Sequence, residues 1–232
     1  MRSATDTLTD KISGLRGAGR EELMVKIINE NHFHVCLELG VWKGEFAANI
    51  LKHCPGIKKY YMLDPWRRME DWNKPANVSD EEFRHIYQEA LDRTDFAASR
   101  RIILRGTTLE MADQIPDDSL DFAYIDGDHT LRGVTIDLMC IYPKLKQGGI
   151  LAGDDYSPSI WHHPASFEPS LVCPYAAYFA ESQKAPLVIH GHNQFVIIKP
   201  FEQGSHFRVM DMCNGYGSRD LLPQVAPRLT AE

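Results

Sequence analysis

Residues 34–56 read HVCLELGVWKGEFAANILKHCPG and decide the fold. A short apolar run, VCLEL at 35–39, precedes two glycines, Gly40 and Gly44, and apolar residues at helical spacing follow them. Short apolar runs bounded by glycine are typical of buried strands, and apolar residues three or four positions apart are typical of amphipathic helices. The stretch therefore predicts a strand, a glycine turn and a helix.

The same alternation of strand and helix continues along the chain. Further strands are predicted within residues 58–66, 100–108, 119–126 and 149–156, and 186–200 predicts two strands joined by a turn. Helices are predicted within 20–31, 79–99, 131–145 and 173–185, the third ending at Gly148 and Gly149. Because parallel strands need crossover helices, this order predicts an α/β fold: a doubly wound, mainly parallel seven-stranded sheet with an antiparallel C-terminal hairpin.

One domain is expected to hold all of these strands. Residues 1–32 are predicted to be an N-terminal helical segment, 33–200 the main ligand-binding domain, and 201–232 a polar tail that packs on the same domain. The N-terminal helix and the tail are also the candidates for a homodimer contact.

Composition excludes several classes of partner. The net charge is −7 without a block of Lys and Arg, so nucleic acid is not an expected ligand. Five widely spaced cysteines form no CxxC pair, which favours a reducing, cytoplasmic setting. Neither a signal peptide nor an apolar run of roughly 20 residues is present, so no membrane contact is expected. A small molecule is the expected ligand.

The glycine turn at 40–44 does not match the two common phosphate-binding motifs. A P-loop requires GxxxxGK followed by Ser or Thr, which GVWKGEF lacks. A dinucleotide turn requires GxGxxG, and Trp42 stands where the second glycine belongs. Asp64 ends the second strand, where an acid accepts hydrogen bonds from ribose hydroxyls. A ligand without a phosphate fits better, although glycines that serve packing alone stay open as an alternative.

The order of these elements, with ELGVWKG, LDPW and the closing hairpin, resembles the class I S-adenosylmethionine-dependent methyltransferases over roughly residues 33–199. The resemblance implies a Rossmann-like methyltransferase fold with the cofactor bound by the domain at 33–200. In that family the acid and glycines of the turn line the methionine portion, the acid after the second strand binds the ribose, and the third strand ends by the adenine. The residues implied are Glu38, Gly40, Gly44, Asp64, Gly106, Thr107 and Asp126.

Acidic residues end the fourth and fifth strands. Asp126 follows one strand, and Asp154 and Asp155 follow the next. Adjacent strands lie about 4.8 Å apart, so these carboxylates are expected to converge and to repel one another unless a cation lies among them. Oxygen ligands favour Mg²⁺ or a similar divalent ion. A turn or helix-cap role for the Asp residues is the open alternative, above all for Asp128.

The segments YIDGDHTLRGVTIDL and LKQGGILAGDDY resemble a methyltransferase branch that includes metal-dependent O-methyltransferases of sugars and other natural products. The resemblance implies that Asp126, Asp154 and Asp155 hold magnesium. It also implies that His129 is the general base, acting with Asp126 as the catalytic pair.

The expected function is therefore an S-adenosylmethionine-dependent, divalent-metal-assisted O-methyltransferase that acts on a hydroxyl of a small metabolite. A metal-independent methyltransferase is the nearest alternative. An iron-dependent hydroxylase is a second, with ligands from His162 and His163 or from His190 and His192. A methyltransferase-like binding protein without turnover is the third.

Overall fold

A computed structural model describes residues 2–213, which build one eight-stranded sheet with helices on both faces. The strands are β1 (Val35–Leu39), β2 (Lys59–Asp64), β3 (Arg101–Arg105), β4 (Leu120–Ile125), β5 (Leu145–Gly153), β6 (Leu187–His190), β7 (Gln194–Ile198) and β8 (Val209–Asp211). Their order is β3-β2-β1-β4-β5-β7-β6-β8, and β7 runs antiparallel to both β5 and β6. The predicted mainly parallel α/β fold with a C-terminal hairpin is confirmed.

The helices divide between the two faces of the sheet. They are α1 (Ala4–Gly14), α2 (Arg20–Glu30), α3 (Glu45–His53), α4 (Asp80–Arg93), α5 (Thr108–Met111), α6 (Leu131–Ile141) and α7 (Val172–Ser182). Side chains of α1 to α4 form one apolar core, and α6 and α7 form the other together with residues next to α5. Successive strand residues point to opposite faces, so Cys36 joins the first core and Leu37 the second. Burial on both faces explains why these strands read as continuous apolar runs.

A seven-stranded sheet would have the hairpin at its edge. In the structure the hairpin is not at the edge. An eighth strand, β8, pairs in parallel with β6 and covers that edge. In the part of the tail that the structure describes, the backbone N–H of Phe201 donates to the Thr5 hydroxyl at 3.0 Å. Residues 214–232 of the predicted tail lie outside the described residues, and the division at 32 and 200 stays a prediction.

The N-terminal region contains one helix more than the sequence predicts. The helix expected at 20–31 is α2, whereas α1 arises from a polar stretch and packs against β6. Asp6 of α1 pairs with Arg208 at 3.0 Å, so the helix is tied to the segment before β8. The homodimer contact predicted for this region stays a prediction. Within residues 2–213, no helix combines the length and the apolar character that crossing a membrane requires.

The end of α6 differs from the prediction. The helix ends at Ile141, and a tight turn that contains Pro143 leads directly into β5. Gly148 and Gly149 therefore lie inside β5 rather than at the helix end. Proline has no backbone N–H to donate, so it favours the earlier stop.

Gly40 allows a close approach of two chain segments at the end of β1. Its φ is +87°, and a Cβ built there lies 2.0 Å from the backbone oxygen of Asp126. The amide of Gly40 donates to Leu63 at 2.9 Å, and the amide of Asp126 donates to Leu39 at 2.8 Å. Any side chain at position 40 therefore pushes apart the ends of β1 and β4.

We expect Gly40→Ala to destabilise the fold. The left-handed backbone alone costs about 1–3 kcal/mol for a residue with a Cβ, and the contact with Asp126 adds to it. Gly191→Ala is the matched control, because nothing lies within 4 Å of a Cβ at that position. Urea denaturation of both variants measures the free energy of unfolding. Equal values for Gly40→Ala and wild type contradict the close approach.

Candidate active site

Strand register places four of the predicted site residues in one row along the carboxyl edge of the sheet. Four residues pair side by side as the last row of the central strands: Leu63, Leu39, Ile125 and Gly153. The next residue of each strand therefore stands in a second row: Asp64, Gly40, Asp126 and Asp154. The strand order reverses between β1 and β4, which is where ligands of doubly wound sheets bind.

Asp64 holds the glycine turn in shape. Its carboxylate accepts backbone N–H groups from Trp42 at 2.9 Å and from Trp66 at 2.8 Å. Burial raises the pKa of Asp64, and these hydrogen bonds oppose the rise. Trp42 itself has a φ of +51°, so the bond to Asp64 secures an unusual backbone conformation. Asp64 thus lies next to the turn that the sequence assigns to the cofactor.

Glu38 and Gly44 lie at the two ends of the same turn. Glu38 is 2% exposed and accepts a hydrogen bond from the Tyr60 hydroxyl at 2.8 Å. Burial raises its pKa well above the usual range of a carboxyl. Gly44 has a φ of +74° and starts α3. The turn therefore offers backbone groups at the crevice and one buried acid beneath them.

Gly106 and Thr107 follow β3 and border Asp64. The amide of Gly106 donates to the backbone oxygen of Asp64 at 3.0 Å. Thr107 caps α5 in a reciprocal pair with Glu110, whose carboxylate accepts the Thr107 amide at 2.8 Å. These contacts bring the positions assigned to adenine beside the position assigned to ribose.

A guanidinium lies between the acids at the ends of β4 and β5. Nη1 of Arg20 donates to Oδ2 of Asp126 at 2.9 Å and also donates to Oδ2 of Asp154. Burial lowers the pKa of Arg20, but the charges around it, including both carboxylates, outweigh burial and raise the pKa above its usual value. The two acids therefore converge, and a protein side chain is their positive partner.

His129 bridges two acids of the site. Its Nδ1 lies 2.5 Å from Oδ2 of Asp155, and its Nε2 lies 3.2 Å from Oδ1 of Asp126. Burial lowers the pKa of His129, yet the two carboxylates outweigh it and raise the pKa to about 10. Burial raises the pKa of Asp155, but the contact with His129 outweighs burial and lowers this pKa to about 2. In this arrangement the imidazole is charged.

The three acids assigned to magnesium do not surround one point. Asp126 and Asp154 share Arg20, while Asp155 points to His129 and lies 3.6 Å from Nδ1 of His162. Throughout residues 2–213, no group of three or more His, Cys, Asp or Glu side chains is arranged to hold a metal ion. As they stand, these residues do not fit a divalent ion, because the guanidinium takes up the space between two of them.

The other acid and histidine candidates have separate roles. Asp128 supports the turn before α6, whose cap is Thr130: the Asp128 carboxylate accepts the amide of Thr130 at 2.9 Å and the indole N–H of Trp72 at 3.1 Å. His190 is buried, and burial lowers its pKa to about 4, whereas His192 is exposed in the hairpin turn. The two histidines do not share an environment, so the structure gives no support to an iron site at this pair. Within the described residues 2–213, His162 and His163 also belong to no group of three or more side chains arranged to hold a metal ion.

Two residues of the site do not follow from the sequence motifs. Arg20 begins a helix 106 positions before Asp126, and no local pattern connects them. Gln194 donates its amide to Oδ1 of Asp154 at 2.7 Å and accepts the Tyr124 hydroxyl at 2.7 Å. Its position opposite the end of β5 follows only from the pairing of β7 with β5, in which Phe195 lies beside Gly153.

The family described as a methyltransferase domain matches residues 37–156, which is more than half of the 232-residue chain. The matched range includes all the site residues predicted from Glu38 to Asp155. The chain belongs to this methyltransferase family.

Solved structures with the same fold include several methyltransferases. A putative caffeoyl-CoA O-methyltransferase from Staphylococcus aureus aligns with a TM-score of 0.57 and 16% identity over 85% of this chain and 93% of its own. The O-methyltransferase TomG from Streptomyces achromogenes, solved with SAM, aligns with a TM-score of 0.54 and 11% identity over 87% of this chain and 93% of its own. An O-methyltransferase from Bacillus cereus, solved with SAH, aligns with a TM-score of 0.52 and 12% identity over 84% of this chain and 91% of its own. The comparison with curated protein sequences gave no match.

A buried acid supports the turn that carries Asp126 and His129. Asp137 of α6 accepts the hydroxyl of Thr108, and its Oδ2 lies 3.1 Å from a Cβ built at Gly127. Burial raises the pKa of Asp137 to about 7. The folded protein therefore binds a proton here at pH values at which the unfolded chain has lost it.

We expect the stability of Asp137→Asn relative to wild type to increase as the pH rises. Because the pKa is higher in the folded state, wild type loses stability between about pH 4 and pH 7, and the neutral amide removes that loss. The melting temperature of the variant relative to wild type should increase by at least about 2 °C from pH 5 to pH 8. Asp113→Asn, at an exposed position, is the control. A difference that does not change with pH contradicts the burial of a titrating carboxyl.

Proposed function

We propose that the protein is an S-adenosylmethionine-dependent O-methyltransferase that acts on a hydroxyl of a small metabolite, such as a sugar or another natural product. One observation carries the proposal: His129 lies within hydrogen-bonding distance of Asp126, in the same row as Gly40 and Asp64. A candidate proton acceptor therefore stands beside the proposed cofactor turn. The family membership and the relatives solved with SAM and SAH support the same reading.

The cofactor half of the proposal uses the turn and the ends of β2 and β3. The backbone of the turn between Gly40 and Gly44 is proposed to line the methionine portion, together with the buried Glu38 of β1. Asp64 is proposed to accept the ribose hydroxyls while it keeps its two backbone hydrogen bonds, because each carboxylate oxygen has a second lone pair. Gly106 and Thr107 are proposed to border the adenine, and Asp126 completes this wall.

We expect S-adenosylhomocysteine to bind the wild-type protein and Asp64→Asn to weaken that binding about tenfold or more, or about 1.4 kcal/mol. The amide is uncharged and accepts through one oxygen only, so it holds the turn and the ribose less well. Asp95→Asn is the control, since Asp95 is exposed and precedes β3 at the opposite edge. Isothermal titration calorimetry gives the affinities. Absence of binding to wild type refutes the cofactor assignment.

The second half of the proposal concerns the methyl acceptor, whose hydroxyl has to lose a proton. When bound, S-adenosylmethionine supplies a methyl group on a sulfonium, and the sulfur leaves as a neutral thioether. His129 is proposed to take the hydroxyl proton at Nε2, while Asp155 holds the other ring nitrogen at 2.5 Å and fixes the ring. The oxygen then forms its bond to the methyl carbon as the carbon–sulfur bond breaks. Alignment of oxygen, carbon and sulfur by the crevice supplies the rest of the rate.

A charged imidazole cannot accept a proton, so His129 has to release its Nε2 proton to solvent before it acts as the base. The contact between Nε2 and Asp126 is the longer of the two, at 3.2 Å, so an acceptor hydroxyl can replace it. The replacement removes one of the carboxylates that favour the charged imidazole, which brings the pKa of His129 down toward that of a base. No step of the proposal passes through magnesium, because the three acids as arranged do not fit the ion.

We expect His129→Ala to lower kcat by about 10²–10⁴-fold while S-adenosylhomocysteine affinity stays near that of wild type, because the imidazole acts on the acceptor. His85→Ala, on the exposed face of α4, is the control. Transfer of a labelled methyl group to a panel of hydroxylated metabolites measures kcat. Full activity of His129→Ala rules out the base assignment. Cofactor binding without transfer to any acceptor favours a binding protein instead.

A further inference from the structure

Arg20 lies against two carboxylates and an aromatic ring in the space where the sequence predicts a divalent cation. Its Nη1 donates to Asp126 and Asp154. Its guanidinium carbon lies 5.6 Å from the centre of the Phe46 ring, and that ring stacks on Tyr124 at 4.2 Å. Two carboxylates and an aromatic face together form a cation site, and a side chain of the protein occupies it.

The backbone also fixes the position of Arg20. A Cβ at Gly17 lies 2.5 Å from the amide of Leu23, so the chain turns tightly into α2. The amide of Ala18 donates to Glu22 at 3.0 Å, and the amide of Leu23 donates to Gly19 at 3.2 Å. Arg20 is therefore the first residue of a helix whose start is anchored, and its reach into the crevice does not depend on a loose terminus.

A positive side chain at the first residue of a helix is unfavourable for the helix itself. The N-terminus of a helix carries a partial positive charge, and a positive side chain there costs about 0.3–1 kcal/mol. The contacts of Arg20 with Asp126 and Asp154 compensate this cost, since two carboxylates that face each other need a positive neighbour. Helix propensity alone does not explain the residue, whereas the crevice does.

Each of the three carboxylates assigned to magnesium already has a side-chain partner without an added ion. Asp126 and Asp154 bond to Arg20, and Oδ2 of Asp155 lies 2.5 Å from Nδ1 of His129. A divalent ion added to this arrangement meets a guanidinium that keeps its charge at every physiological pH. Binding of the ion therefore requires that Arg20 leave both acids.

We propose that Arg20 takes the place of the divalent cation in this methyltransferase, so that methyl transfer needs no metal. The inference rests on the proposed function and adds a positioning residue from the N-terminal segment. Arg20 acts through Asp126 and Asp154: it neutralises their repulsion and holds the two carboxylates in place at the ends of β4 and β5. A chelator does not remove it, because it is part of the chain.

The test is Mn²⁺ binding, measured by the loss of the free-ion EPR signal as MnCl₂ is added to the full chain. Wild type should bind Mn²⁺ at least about tenfold more weakly than Arg20→Ala, in which two carboxylates lose their partner. Adding Asp154→Asn to Arg20→Ala should abolish the gained site. Arg20→Lys, which keeps a cation, should behave as wild type, and Arg84→Ala is the exposed control. A residue with a merely structural role does not produce a gain of metal binding on its removal.

Wild-type protein alone can overturn the inference. Tight Mn²⁺ binding to wild type that Asp154→Asn removes shows that the ion displaces Arg20, whether or not Arg20→Ala folds. Where turnover is detected, EDTA should change the wild-type rate by less than about twofold, and a larger loss restored by Mg²⁺ contradicts the proposal. The proposed function fails separately, through absent binding of S-adenosylhomocysteine, and the Mn²⁺ result does not depend on it.

Discussion

The site depends on the repulsion between carboxylates that the sheet forces together. Parallel strands end at one edge, so an acid after β4 and an acid after β5 become neighbours whatever else the chain does. Asp126 and Asp154 coexist because a guanidinium lies between them, and Asp155 is stabilised by His129. The reactive groups of the crevice are therefore set by how this negative charge is compensated, and not by the acids alone.

The compensation joins distant parts of the chain. Arg20 comes from the N-terminal segment, and Gln194 of β7 donates to the oxygen of Asp154 that Arg20 does not use. The Tyr124 hydroxyl in turn donates to Gln194, within a buried chain of hydrogen bonds. Asp154 is thus held from both sides, which fixes the end of β5 relative to β4. The antiparallel strand β7 serves the site as well as the sheet.

The sequence predicts the features that depend on near neighbours in the chain. The spacing of the apolar residues at 35–53 and the backbone freedom of glycine made β1, the glycine turn and α3 predictable. The helix α1 and the strand β8 were not, because a polar stretch and a three-residue strand gain their stability from packing and pairing. The end of α6 was misassigned for a related reason: Gly148 and Gly149 resemble a helix stop, but Pro143 ends the helix earlier.

The same distinction separates the acids from their cation. Convergence of Asp126 and Asp154 follows from topology, and so does the need for a positive charge between them. The identity of that charge does not follow, since motifs report residues close in sequence and Arg20 lies 134 positions from Asp154. A cluster of acids at a sheet edge therefore specifies an electrostatic requirement, which a metal ion or a side chain can meet. In this protein the start of α2 meets it, and the N-terminal segment becomes part of the crevice.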